Sequence, residues 1–391
     1  AYIDPAVFAL EQERIFEGPL WHYLCLEAEI EDKHSFVTTT IGTTPVVITR
    51  GSDGEVFGFV NRCAHRGALV VREKRGTSRW HTCLYHQWVY DEQGALRSVP
   101  YRNGLRGNGG FDKDFDLACH GLRKVNIRVL HGIVFGTLSD KTPPIEEFLG
   151  PKVLERLGRI YNRPLRLLGY HRQSVRANWK MMLENIKDTY HGALLHAFNS
   201  RFGFFRPTQP GEVYISDNGF HSVVSTYKVE QENIGDAFKD VATAKADLTL
   251  EDKTMIARRP EFHDATVTTL MSIGATFLFY HIGNSFVIRT MHPKSADDFD
   301  MTWTYFGYAD DTAEMTDLRL RQINLGGPAG YVSMEDAVAL EAAQEAIKGD
   351  MGRGEAIAAL AGDGTKTQHH LVTEVALRGF WEAYYQVMAG M

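Results

Sequence analysis

The chain has 391 residues, 44% of them apolar and 23% charged, with a net charge of −7. That length supports two domains with substantial cores, and the mild acidity gives no reason to expect nucleic acid or an anionic membrane as a partner. No apolar run approaches the roughly 18 residues that suggest a membrane span, and no signal-peptide pattern opens the chain, so a bacterial cytoplasmic location is expected.

Residues 5–20 read as a helix, with Pro5 suited to a first turn and Phe8, Ile15 and Phe16 at helical spacing. From His34 to Val60 the pattern changes to short β-rich runs, SFVTTTIG, TPVVITR and EVFGFVN, with a hairpin turn at Gly51–Gly54. Two mixed pairs follow at hairpin tips, Cys63-Ala64-His65 and Cys83-Leu84-Tyr85-His86. Tyr90–Gly94 is another turn, and GIVFGTLS (132–139) a further strand. Residues 20–140 thus form a small all-β domain, ended by Pro143-Pro144. Ile145–Ile160 reads as a helix and Leu165–Val175 as a strand leading into NWKMMLENIKDTYHGALLH (178–196). Residues 211–229 and 266–309 are strand-rich, and the charged stretch 231–263 between them suggests a surface excursion or lid. Helices return at Asp311–Asn324, Met334–Lys348 and Thr367–Met388. The expected class is α+β. The all-β domain spans 20–140, a larger domain of antiparallel sheet and helices spans 141–391, and the helix within 1–19 packs on the larger domain.

Within 178–196, Glu184, Asp188 and His191 follow at i, i+4 and i+7 and share one helical face. His196 falls off that face. Gly192 is a place where the helix can loosen, so both rings could still converge. Taken alone, two such histidines are more often satisfied residues of a polar face. The two Cys/His pairs change that balance, because each loop supplies one thiolate and one imidazole. A Rieske 2Fe–2S centre takes two Cys on one iron and two His on the other. A structural Cys₂His₂ zinc site could use the same four ligands, although zinc fingers usually pair like with like in each short segment. The remaining Cys25 and Cys119 are expected to be buried, reduced thiols, the alternative being a disulfide between them.

The stretches NRCAHRG, CLYHQWVYDEQGAL and ENIKDTYHGALLH, with GPAGYVSMED (327–336) and EQERIFEGPLWHYL, resemble the α (large) subunit of Rieske non-haem iron aromatic-ring hydroxylases. The resemblance covers nearly the whole chain. It implies a helix-grip (START-like) catalytic domain and a 2Fe–2S cluster held by Cys63, His65, Cys83 and His86. It also implies a mononuclear Fe(II) held by His191, His196 and Asp336, with the adjacent Glu335 as rival ligand. Two His and one carboxylate on one face leave positions open for O₂ and substrate. In the family the acid matching Asp188 also meets a cluster histidine of a neighbouring subunit, here the partner subunit's His86. Electrons would then cross between chains of an α₃ trimer. Many relatives carry one more residue between the Asn and the Asp of this motif, so the resemblance does not carry Asn185 to the usual near-iron position.

No GxGxxG follows a strand, so NADH is expected to act through a separate reductase, with or without a ferredoxin. The text WHYLCLEAEI, NRCAHRGALV, FGYADDTAE and RGFWEAYYQ looks most like the branch acting on aromatic carboxylates, which includes terephthalate dioxygenases and salicylate 5-hydroxylases. That branch usually adds a small β subunit, giving α₃β₃. Substrate candidates are Arg289, sharing a buried strand face with Val287 and Met291, then Arg378 on the C-terminal helix. The protein alternative for Arg289 is an ion pair with an Asp or Glu. Phe202, Phe204 and Phe205 could line the pocket, whereas His81, His131, His171, His221 and His263 read as structural or exposed. The expected reaction is mono- or cis-dihydroxylation of a small aromatic acid with O₂. The runners-up are an α-only oxygenase performing demethylation or amine oxidation, and a non-catalytic ligand-binding module with a vestigial metal site.

Overall fold

Short β-branched runs between tight turns build the first of two compact units, Phe16–Ile145; the second combines Ala1–Ile15 with Glu146–Met391. The computed structural model describes residues 1–202, 205, 207–228, 250–349 and 362–390. In the first unit a seven-stranded antiparallel sheet runs in the spatial order His22–Leu26, Ile133–Thr137, Lys124–Leu130, Val56–Val60, Thr44–Arg50, Ser35–Ile41, Arg75–Thr77. A smaller sheet pairs Trp80–Thr82, Val89–Asp91 and Leu96–Ser98. Between them lies a core of Phe36, Val47, Phe59, Trp88 and Tyr90 that also takes in Cys63 and Cys83.

The second unit holds one antiparallel sheet of seven strands: Leu165–Val175, Asp298–Tyr308, Ser285–Ser295, Phe277–Ile282, Thr266–Ile273, Ser222–Tyr227 and Gly211–Ile215. Strand Ser285–Ser295 is buried almost without interruption along its first seven residues rather than in alternation. Both of its faces are therefore covered, and whatever polar side chain it carries must find a partner inside the protein. The long helices are Ile145–Ile160, Trp179–Lys187, Ala313–Gly326, Ser333–Gly349 and Val375–Ala389. The first of these is kinked at Gly150, whose φ of 74° precedes Pro151.

Three expectations need correction. The N-terminal helix is Pro5–Glu11 followed by a wider turn, Gln12–Phe16, and stops short of residue 20 at Gly18-Pro19. The last helix starts at Val375, not 367. Gln368 exchanges two backbone hydrogen bonds with Val213, and the Thr373 hydroxyl accepts the Val375 amide, so the intervening segment is tied to the sheet. Cys25 is buried on a strand as expected, but Cys119 is exposed, because Asp116 caps the surface turn Leu117–His120 that carries it. All four thiols are free. Most of the charged stretch 231–263 lies outside the described residues.

Helix Trp179–Lys187 is anchored by charge as well as by packing. The fully buried Glu11 accepts from Trp179 Nε1 (2.8 Å), Lys180 Nζ (2.6 Å) and the Tyr384 hydroxyl (2.5 Å). Glu184, one turn on, accepts from the Tyr2 hydroxyl at 2.6 Å. Burial outweighs that bond and the Lys180 charge, and pushes the Glu184 carboxyl up to about 7 from 4.5. The folded state therefore holds this proton more tightly than the unfolded chain. Its contribution is complete below pH 4.5 and is lost as pH rises through about 7. Glu184→Gln, which keeps an acceptor for Tyr2, should stabilise the protein by on the order of 2 kcal/mol above neutrality. It should also flatten the stability profile between pH 4.5 and 7. Chemical denaturation across that range checks this; a parallel profile for the variant would contradict it.

Candidate metal centres and substrate cavity

The two Cys/His loops are built alike. Cys63 N donates to Ala68 O (2.8 Å) and Gly67 N to Cys63 O (2.9 Å); Cys83 N donates to Trp88 O and Gln87 N to Cys83 O, both at 2.9 Å. In each loop the residue four after the cysteine is left-handed, Gly67 with φ 73° and Gln87 with φ 56°. Matching turns give matching presentation. Both thiols are buried, while the imidazoles of His65 and His86 lie nearer solvent with ring centroids 4.3 Å apart. Trp88 stacks on His65 at 4.8 Å, and the Tyr90 hydroxyl sits 3.3 Å from Cys63 Sγ. Two inner thiols and two outer imidazoles in one cradle fit a 2Fe–2S cluster with an inner Cys₂ iron and an outer His₂ iron.

In the second unit, Asn178 caps helix Trp179–Lys187 by accepting the Lys180 amide at 3.0 Å. The helix does not run on through His191. It ends at Lys187, Asp188 is extended (φ −88°, ψ 101°), and a 3₁₀ turn His191–Ala193 follows. The break thus precedes Gly192 by four residues. Asp188 is its cause: Oδ1 accepts the amides of Tyr190 (2.7 Å) and His191 (3.3 Å), giving those donors an alternative to helical carbonyls. Glu184 consequently faces Tyr2 rather than sharing a face with His191.

The broken helix brings the His191 and His196 rings to 5.2 Å. Asp336, in the first turn of helix Ser333–Gly349 and 3% exposed, places Oδ1 3.0 Å from His196 Nε2 and 3.6 Å from His191 Nε2. Each of the three offers a ligand atom, all within 4.8 Å of one another. Each outer ring nitrogen also faces a carboxylate: His196 Nδ1 is hydrogen-bonded to Glu335 Oε2 at 2.9 Å, and His191 Nδ1 lies 3.2 Å from Asp188 Oδ2 without hydrogen-bond alignment. The adjacent acids Glu335 and Asp336 thus divide the work, one orienting an imidazole and the other facing the centre. Asn185 also belongs here, donating to Asp336 Oδ1 at 3.0 Å with His191 Nε2 at 3.4 Å, so the shortened motif still delivers it to the triad. Burial raises the Asp336 carboxyl, but its contacts with both imidazoles hold it well below the usual range. Burial lowers His191, yet Asp188 and Asp336 push it up to about 9. Two anchored imidazoles converging on one carboxylate fit a divalent cation, which on binding would displace the shared protons.

Beside the triad lies a cavity of about 100 Å³ lined by Phe205, Leu270, Ile282, Leu325, Val332 and Arg289, among others. Phe204 lies outside the described residues, and Phe202 packs on Phe198 rather than lining the cavity. Arg378 is not brought to it either; its guanidinium donates to the carbonyls of Gly364 and Asp363. Arg289 is 4% exposed, with its guanidinium carbon 5.3 Å from the Tyr280 ring and 5.1 Å from the Trp303 ring. It makes no ion pair among the described residues, and its buried Nε has no hydrogen-bond partner. Of the other histidines, His221 is buried between Phe148 O (2.7 Å) and the Gly274 amide (3.0 Å), a structural role.

The Rieske [2Fe-2S] domain family matches residues 20–108, and the catalytic domain of the ring hydroxylating alpha subunit family matches residues 154–390. The chain belongs to the ring-hydroxylating Rieske oxygenases as a large subunit, an enzyme class that carries a 2Fe–2S cluster and a mononuclear iron. It is 39% identical to the terminal oxygenase component subunit alpha 2 of terephthalate 1,2-dioxygenase from Comamonas sp, over 99% of this chain and 94% of that one. It is likewise 39% identical to the anthranilate 1,2-dioxygenase large subunit of Burkholderia cepacia, over 98% of this chain and 91% of the relative. Identity to the salicylate 5-hydroxylase large oxygenase component of Ralstonia sp is 35% over 99% and 93%. Among solved structures, naphthalene 1,2-dioxygenase from Rhodococcus sp. superposes with a TM-score of 0.79 at 22% identity, covering 99% of this chain and 93% of that one, which shows a common fold.

Proposed function

We propose that this subunit hydroxylates a small aromatic carboxylate, with Arg289 gripping the carboxylate beside the iron. The observation that carries this is the unpaired guanidinium in the cavity that His191, His196 and Asp336 also line. A buried Arg is costly without an anion, and a carboxylate fits its planar fork bidentately. Terephthalate, anthranilate and salicylate, named in the three full-length relatives, all bear a ring carboxylate. A quaternary amine substrate would instead meet a like charge at Arg289.

In this reading Cys63, His65, Cys83 and His86 hold the cluster, and His191, His196 and Asp336 hold the iron. Together these groups supply electron storage and oxygen activation when bound. The chain's residues do the rest. Asp188 and Glu335 fix the imidazoles, the apolar walls at Leu270, Ile282 and Phe205 exclude water, and Arg289 sets the ring's orientation. Electrons come from NADH through a separate reductase or ferredoxin, in an α₃ or α₃β₃ assembly. The partner subunit's His86 delivers them to Asp188.

Arg289→Leu is expected to raise KM for benzoates on the order of 100-fold, the usual cost of truncating a buried charge pair. Uncharged ring analogues should lose little. Substrate-dependent oxygen uptake with a surrogate reductase measures both, and equal losses for charged and uncharged substrates would return Arg289 to a structural role.

A further inference from the structure

We infer that Arg289 also reports substrate occupancy to the mononuclear iron: its uncancelled charge raises the potential of the iron until a substrate carboxylate neutralises it. The inference rests on the clamp proposed above, and adds to it an electrostatic consequence. Arg289 and Asp336 line the same cavity and are 4% and 3% exposed. The ring faces of Tyr280 and Trp303 lie beside the guanidinium; they attract a cation but carry no net charge to cancel it. No carboxylate among the described residues pairs with it. The charged side chains that line the cavity are thus Arg289, Asp336 and Asp188, the triad imidazoles being neutral when they bind a metal. A charge shielded from water acts over a longer range than one at the surface. Burial weakens the Arg289 proton affinity and the Asp336 carboxylate restores part of it, so the two groups already sense each other.

The sign follows from Coulomb's law. A nearby positive charge favours Fe(II) over Fe(III) and so raises the potential of the one-electron couple, Fe(III) plus an electron giving Fe(II), the electron being supplied by the 2Fe–2S cluster. A bound carboxylate cancels that charge without any bond being made or broken, and the ferric state becomes easier to reach. By linkage, the same carboxylate binds the ferric enzyme more tightly than the ferrous one. An empty cavity would therefore hold the iron ferrous, and occupancy would release it for oxidation.

The test is a redox titration of the holoenzyme with dithionite, ferricyanide and mediators, following the ferric mononuclear signal by EPR, with and without saturating benzoate. Wild type, Arg289→Met and Arg289→Lys are compared at equal iron content. Benzoate should lower the wild-type potential. Ligand-free Arg289→Met should already sit lower by about 59 mV or more, a tenfold change in the ferric-to-ferrous ratio. The titration is run below pH 7, where even a buried amine such as that of Lys187, pushed down by burial to about 7, holds its proton. Arg289→Lys then keeps the charge but loses the fork, so it should retain the ligand-free wild-type potential while binding benzoate more weakly. If Arg289→Met titrates with wild type, the coupling is wrong; if Arg289→Met alone fails to fold, a lowered potential in Arg289→Lys rejects it equally. Calorimetric Kd values for benzoate separate the two claims. Weaker binding to Arg289→Met with an unchanged potential rejects the coupling and keeps the clamp. An unchanged Kd, or no binding by wild type, rejects the clamp and the coupling together.

Discussion

Asp336→Ala is expected to empty the mononuclear iron site and reduce substrate-dependent oxygen uptake to background, while the visible spectrum of the 2Fe–2S cluster stays unchanged. Among the described residues the carboxylate is the one anion that both imidazole Nε2 atoms face, at 3.0 and 3.6 Å. Removing it leaves two neutral donors to hold a hard divalent cation, and deprives Asn185 of its acceptor. Glu335→Gln should behave differently, although it alters the adjacent acid. Its carboxylate pairs with the outer nitrogen of His196, at 2.9 Å, and not with the Nε2 atoms that converge on Asp336. The expected loss there is about 10- to 100-fold in iron affinity, as for other partners that orient a metal-bound imidazole. Iron quantification with chelator competition distinguishes the two. A fully loaded Asp336→Ala beside an empty Glu335→Gln would exchange their roles.

Much of the fold was legible because it is written locally. Strand Leu165–Val175 has the limits its β-rich run suggests, and the second Cys/His loop sits on the expected hairpin, between Trp80–Thr82 and Val89–Asp91. The first does not, because it joins Val56–Val60 to Arg75–Thr77, which pair with other strands. The continuous apolar run around Arg289 announced a strand covered on both faces, and hence a guanidinium in need of an anion. What the sequence concealed depends on contacts between distant residues. ENIKDTYH has helical composition throughout, and the break at Asp188 arises only because its carboxylate captures two amides that helix propensity assigns to carbonyls. Glu184 lies at helical spacing from His191 but answers to Tyr2, 182 positions away. The start of the last helix is set by pairing of Gln368 with Val213. Glu335 and Asp336 are indistinguishable by composition; the turn of the helix decides which one faces the centre.

With both metal centres loaded to the wild-type level, Asp188→Asn should slow turnover by about 10,000-fold, the scale of losing a carboxylate that fixes an imidazole's tautomer. Asparagine keeps the local fold, since its oxygen can still accept the amides of Tyr190 and His191 as Oδ1 does now. The other arm becomes an NH₂. It then meets His191 Nδ1, 3.2 Å from Oδ2, which must carry its own proton if Nε2 is to bind iron. Donor faces donor, and the contact that would link the iron site to the partner subunit's cluster is lost. A single turnover resolves the step. The pre-reduced variant mixed with oxygen and benzoate should oxidise its Rieske cluster far more slowly than wild type, and a near-normal rate would reject the route. Complementation then tests whether that route crosses between chains. Asp188→Asn retains an intact His86 and cluster, whereas His86→Ala retains an intact Asp188 and iron site. Each should be inactive alone, and co-expressed chains should regain part of the activity wherever an intact Asp188 meets the partner's His86. Electron transfer confined to one chain would leave every mixture dead.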